Sequence, residues 1–452
     1  MPNRLVWTKM HAPFERPSLQ APLMYRRALA IICFAAILTG IAAASRKQAD
    51  DPVFSQIDSI VKTLSGITGL PEKHPVPYAR ISKRQLRQFL AKRIKKTLKP
   101  AELHADELSL KLFGLVPKDF DLKQSTIDLL TEQAAAFYDY QERKLFLLEG
   151  SSLNAEETTV AHELSHALAD QNFDLGKYMD TSPGSDDENL AHTAVVEGEA
   201  SWLMVAYDLN KSGRVPVPTR EMLDAVADSG DSSMTEYPVL KSSPLYIQQS
   251  LLFPYTEGTL FFDAVYHKLG KASFAAVFTD APTDSAQIIH PDRYFAHQKE
   301  TKPELVKLRL KDAKELTEGS MGEFDQEMLL EQFLNKDAAN RLAPHLRGGF
   351  YKIYELGKEK KPLLDYASQW DSEEEAAAYF AAYQQVLRKK WKTCDVAQSG
   401  SNVLAGTGDN GYFVTILSGD MVSSVEGLND IGEWNRLKFV PRTGSAAARV
   451  EF

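Results

Sequence analysis

The segment His162-Glu163-Leu164-Ser165-His166 sets two imidazoles four residues apart, with a carboxylate beside the first. On a helix, residues four apart share a face, so both rings reach one ion. Neutral imidazoles that leave a coordination position open are what catalytic zinc uses. Glu163, one step on from His162, then stands beside the position where water binds, as a base that is not a ligand. The chemistry this spacing announces is hydrolysis. Water is made nucleophilic at a metal, Glu163 takes its proton, and the proton passes to the leaving group.

Such a site requires a third ligand. His192, Glu197 and Glu199 are the downstream candidates, all within His192-Thr193-Ala194-Val195-Val196-Glu197-Gly198-Glu199-Ala200. On a helix Glu197 shares a face with Ala194, Ser201 and Met204, and Glu199 with His192, Val195 and Trp202, so periodicity alone does not choose. Asp170, four residues after His166, is spaced to accept from that ring's second nitrogen and fix its tautomer. Tyr255, His290 and Tyr294 are candidate donors to a developing oxyanion. Ser165 has no nucleophile argument, because no Asp–His–Ser arrangement is legible.

These residues need elements to hold them. Asn154 and Glu157 read as a capping box opening a helix over 155–171. An acidic, turn-rich loop at 180–188 precedes a second helix over 189–209, which folds back on the first. Upstream, 122–136 reads as helix and 145–148 as a short strand. Residues 82–98 read as a helix with an apolar stripe (Leu86, Phe89, Leu90, Ile94, Leu98) and a basic opposite face. Residues 45–78 are loop-like, punctuated by Pro71, Pro75 and Pro77. Further helices are expected at 246–253, 256–269 and 273–279. After Gly348-Gly349 the pattern changes. Strands are expected at 350–356, 363–370, 391–397, 412–417 and 421–425, around an alanine-rich helix at 373–390 capped by Asp371 or Ser372. The expected class is α+β. A mainly helical domain with a short sheet fills 79–346, and a small α+β module fills 347–452, after a linker at 45–78.

HELSHALADQNFDL followed by EGEA resembles the gluzincin branch of zinc metallopeptidases, in which HExxH is joined by a Glu from a later helix. That resemblance implies a zincin-like catalytic domain and gives the metal-binding role to Glu197. The stretches AAAFYDYQERKLFLL, PYTEGTLFFDAVY, APTDSAQIIHPDRYF and QWDSEEEAAAYF resemble an uncharacterised group of exported bacterial predicted peptidases, over most of 79–392. The resemblance also implies that strand 145–148 is an exposed edge beside the zinc, where extended peptide pairs with backbone. Two positions depart from the wider clan. Ser201 stands where an acidic residue often orients the ligands, and the region after Gly348-Gly349 lacks an Asp often found there.

Composition bounds the rest. The chain has 452 residues and 44% hydrophobic content, enough for packed cores. A net charge of −9 argues against nucleic acid as a partner. Arg26 and Arg27 precede an uncharged run at 28–44, ending in Ala42-Ala43-Ala44, which reads as a secretory signal or a retained membrane anchor. Of the two cysteines, Cys33 falls in that leader, so neither a disulfide framework nor a cysteine metal site is expected. The function expected is that of an exported metallopeptidase, periplasmic or secreted, with one Zn2+ per chain and peptide or protein substrates. A zinc amidase, an inactive scaffold and an envelope binding protein are the alternatives. Membrane contact is expected through 28–44 or the basic helix at 82–98.

Overall fold

The computed structural model describes residues 54–149, 153–181, 185–225, 237–308 and 310–429. The expected leader at 1–44, Cys33 and the side chain of Asn154 lie outside the described residues.

The first correction falls on the expected linker. Ile57, Ile60, Val61, Leu64 and Ile67 recur at helical spacing and form the buried side of helix α1 (Ile57–Thr68). The prolines that suggested a loop begin only after it. Strand β1 (Tyr78–Ile81) leads into α2 (Lys83–Thr97), opened by a capping box in which Ser82 and Gln85 bond reciprocally. Helices α3 (Pro100–Phe113) and α4 (Leu122–Gln133) follow, then strands β2 (Ala136–Asp139) and β3 (Lys144–Leu148).

These three strands make a small sheet of order β1-β3-β2. Strand β3 lies in its middle, parallel to β1 and antiparallel to β2. The strand expected at 145–148 as an exposed edge is therefore internal, because β1 returns to cover it. Strands β1 and β2 are the edges, and β2 lies against α5 (Leu153–Phe173). Phe137, Phe146 and Leu148 pack with Leu86, Phe89 and Ile94 of α2 in a local core.

Two further long helices build outward from α5. Helix α6 (Asp186–Lys211) packs on α5, and α7 (Leu245–Leu269) packs on α6. Three acidic residues in the first turn of α6 and Lys211 in its last complement the helix dipole. Helix α7 runs through Pro254 without ending, where two separate helices were expected. The tertiary packing of α7 along α6 holds the segment helical across the missing N–H.

The C-terminal half is built on a seven-stranded antiparallel sheet, ordered β4-β5-β6-β10-β9-β8-β7. Its strands are β4 (Ala313–Ser320), β5 (Leu346–Leu356), β6 (Lys361–Trp370), β7 (Asp395–Ser399), β8 (Val403–Gly408), β9 (Gly411–Ser418) and β10 (Met421–Leu428). Strand β4 belongs to this sheet although it lies well upstream of residue 347. Helices α8 (Glu323–Phe333) and α9 (Glu373–Lys390) pack together, and α9 covers one sheet face, stacking Tyr379 on Trp370 at 4.2 Å. Ser372 caps α9 by accepting from the Glu375 amide. One apolar core runs continuously from Ile57 of α1 through α5, α6 and α7 to Val422 of β10. Among the described residues no helix is long and apolar enough to cross a membrane.

Candidate metal centre

Helix α5 presents His162 and His166 on one face, one turn apart, with ring centroids 4.7 Å apart and planes nearly perpendicular. Its other positions explain why this face is held still. Val160, Ala161, Leu164, Ala167 and Leu168 are all fully packed into the core. The Ser165 hydroxyl donates to the Ala161 carbonyl within the same helix and takes no part in the site.

Helix α6 supplies the third group. The Nε2 of His162 lies 3.2 Å from Glu197 Oε2 and 3.2 Å from His166 Nε2, and His166 Nε2 lies 3.5 Å from the same carboxylate oxygen. His162, His166 and Glu197 are buried and could together hold a metal ion. Glu199, two residues on, is buried too but is not in this group. His192 is also turned away: its ring stacks on Tyr178, and its Nδ1–H donates to the Tyr178 carbonyl at 2.8 Å.

Glu197 reaches the imidazoles because of the residue beside it. A Cβ on Gly198 would stand 2.2 Å from the backbone of Gly258, and one on Gly258 would stand 2.2 Å from the Ala194 carbonyl. Helices α6 and α7 thus cross backbone to backbone where Glu197 projects. The same crossing places Tyr255, one turn before Gly258, with its ring roughly parallel to that of His162 at 6.1 Å.

Glu163 is only 9% exposed and is not one of the three converging groups. Its Oε2 accepts from the backbone N–H of Tyr138 in β2 at 2.7 Å. Burial pushes its carboxyl above the ordinary range, against the pull of His166 and His162. Burial also opposes ionisation of Glu197, but the two imidazoles overcome it and hold that carboxyl far below the ordinary range. For His162, burial works against the charged form and the carboxylates of Glu197 and Glu163 outweigh it. The site is therefore a converging pair of imidazoles against an ionised carboxylate, with a second carboxyl of higher proton affinity alongside.

Several expected partners are placed elsewhere. Asp170 accepts from the Tyr138 hydroxyl at 2.9 Å and the Leu175 amide at 2.9 Å rather than from the His166 ring. Of the three candidate oxyanion donors, only Tyr255 is brought to the imidazoles. His290 bonds Glu323 at 2.7 Å, and the Tyr294 hydroxyl donates to the Asp280 carbonyl. Glu157 pairs with Lys211 and accepts from the Tyr207 hydroxyl, tying α5 to the end of α6. Tyr138 is the residue the sequence did not disclose. Its backbone holds the Glu163 carboxylate and its hydroxyl holds Asp170, and only the aromatic run Phe137-Tyr138-Asp139-Tyr140 marked the place.

Comparison of the chain with protein-family models, curated proteins and solved structures returned no match. What the site does must come from its own atoms.

Proposed function

We propose that this protein is a zinc-dependent hydrolase of peptide bonds, acting in the cell envelope or outside the cell. The observation that carries the reading is the spacing of three ligand atoms with a non-ligand carboxylate next to them. In a tetrahedral site with bonds of about 2.0–2.1 Å, ligand atoms stand roughly 3.3–3.4 Å apart. The separations here, 3.2, 3.2 and 3.5 Å, match that edge length. Two imidazole nitrogens and one carboxylate oxygen are a donor set suited to zinc, and three protein ligands leave the open position that catalysis requires.

When bound, zinc supplies Lewis acidity, lowering the pKa of a coordinated water and polarising a carbonyl. The rest is done by this chain. Glu163 takes the proton of the attacking water and delivers it to the leaving amine. Burial holds its carboxyl above the ordinary range, the direction that favours taking a proton from water. The Tyr138 N–H fixes one carboxylate oxygen and leaves the other to the reaction. Tyr255, lying against His162, is assigned the donor to the oxyanion.

Peptide as substrate is supported by the edge of β2. The Leu148 amide donates to Ala135 on the paired side, whereas the Tyr138 amide points to Glu163 on the other. Backbone groups of Ala136 and the carbonyl of Tyr138 therefore face the side of the site, where an extended chain is bound by pairing with little regard to its side chains.

The purified protein is expected to hold close to one zinc per chain and to cleave casein. A chelator is expected to abolish turnover and added zinc to restore it. His162→Ala or His166→Ala is expected to strip the metal, and full retention in either variant sinks the site. Zinc without turnover of any peptide removes the peptidase reading and leaves a zinc amidase or an inactive metal-binding scaffold.

A further inference from the structure

The basic face of α2 has no part in the metal site. Between Glu72 and Glu102 the sequence contains no Asp or Glu, in a chain whose net charge is −9. Lys83, Arg84, Arg87, Lys92, Lys95 and Lys96 are all exposed on one side of this helix. Arg87 is paired with Asp128, while Arg84, Lys92, Lys95 and Lys96 form no ion pair within the described residues. Glu142, in the turn after β2, is the acid that faces Lys92 and Lys96. The opposite side is fully used. Leu86, Phe89, Leu90 and Ile94 are buried against β3 and α4, and Arg93 turns inward to Asp139.

We infer that this face docks on the anionic phospholipid headgroups of a membrane. Its charge is complementary to them, and each Lys or Arg near such a surface adds to binding. The choice of lipid over a protein or nucleic acid rests on what the face lacks. Its exposed residues are long cations and Gln88, without the aromatic or apolar anchor that protein interfaces bury or the stacking rings that nucleic acids need. The chain outside the structure points the same way. With the apolar run at 28–44 retained as an anchor, the nine residues that separate it from Phe54 span at most about 35 Å when extended.

The packing also fixes the kind of contact. Because the apolar side of α2 is held in the protein core, the helix does not insert between acyl chains as free amphipathic helices do. Binding is purely electrostatic, shallow and screened by salt over roughly 10 Å at 0.1 M.

The test uses the full chain reconstituted in vesicles of phosphatidylcholine alone, or with about a quarter phosphatidylglycerol. Lysine acetylation is read by mass spectrometry, and peptide turnover is not used, so the outcome is independent of the zinc reading. Labelling of Lys92, Lys95 and Lys96 is expected to slow at least about fivefold on the anionic vesicles. The protection is expected to vanish in about 0.5 M salt. The exposed Lys358 and Lys360 in the turn after β5 serve as the unaffected control. Equal labelling on both vesicles overturns the inference. So does protection by soluble polyglutamate but not by the lipid, which would give the face to an acidic soluble partner. A variant carrying Arg84→Glu, Lys92→Glu, Lys95→Glu and Lys96→Glu changes only exposed side chains and is expected to lose the residual protection of Lys83. Retained protection there also overturns it.

Discussion

At the scale of single residues, Glu163 and Glu197 are set apart by their surroundings. Glu163 is held by an amide and lies outside the ligand group, so a neutral amide side chain in its place leaves the three ligands intact. Glu163→Gln is expected to keep the metal and lose roughly two or more orders of magnitude in turnover, the usual scale of a general base. Activity near the original level in a zinc-loaded variant rules out that role. Glu197 and Glu199 are both buried carboxylates, but only Glu197 Oε2 stands within 3.5 Å of both imidazoles. Removing a direct ligand takes away a bond to the ion, whereas removing a neighbour alters only its setting. Glu197→Ala is therefore expected to weaken zinc binding far more than Glu199→Ala in a competitive chelator titration. The reverse order would move the ligand to Glu199. The identity of His162, Glu163 and His166 was legible because helical spacing alone brings them together. The choice of Glu197 over Glu199 was legible only through the resemblance carried by EGEA, because periodicity does not report the roll of α6 about its axis, which a neighbouring helix sets.

At the scale of elements, that neighbour is α7, and the contact that sets the roll is glycine on glycine. An added methyl at Gly198 meets the Gly258 backbone, which cannot swing aside as a flexible side chain can. Overpacking of this sort costs typically about 1–3 kcal/mol. Gly198→Ala is expected to lower the melting temperature and, by pushing α6 away, to weaken zinc binding about tenfold or more. A variant that melts unchanged and binds zinc as tightly would show that the crossing does not position Glu197. Two other elements escaped sequence reading for related reasons. Helix α1 carries a regular stripe, yet the prolines beyond it drew the whole stretch toward a loop. Strand β3 has the composition of a strand, but whether a strand is edge or interior depends on β1, more than sixty residues earlier in the chain. Period and composition report local preference. Partners from far along the sequence decide sheet order and helix roll.

For the molecule as a whole, buried acids make stability depend on pH. Asp365 of β6 is 1% exposed, and burial raises its carboxyl to about 8, with the Val306 amide and Lys352 only partly opposing. An unfolded Asp titrates near ~3.9, so between about pH 4 and 8 the folded chain keeps a proton that the unfolded chain has released. Stability therefore falls as pH rises through that window, by up to about 1.4 kcal/mol per unit for this group. Asp365→Asn removes the titration. Its melting temperature relative to the unaltered protein is expected to climb steadily from pH 4 to pH 8. A difference that stays constant over that range would place the titration elsewhere.

The seating of β10 has a consequence for how the chain is made. It is the last described strand, yet it occupies the interior of the large sheet, between β6 and β9. Until the ribosome has delivered it, β6 ends in an open edge and the helix α9 has an incomplete floor. The sheet cannot close during synthesis, and non-local pairing of this kind is slow to form. While the chain emerges, the large sheet stays incomplete at its centre, and β6 presents an unpaired edge of the kind that pairs with neighbouring chains until β10 fills it.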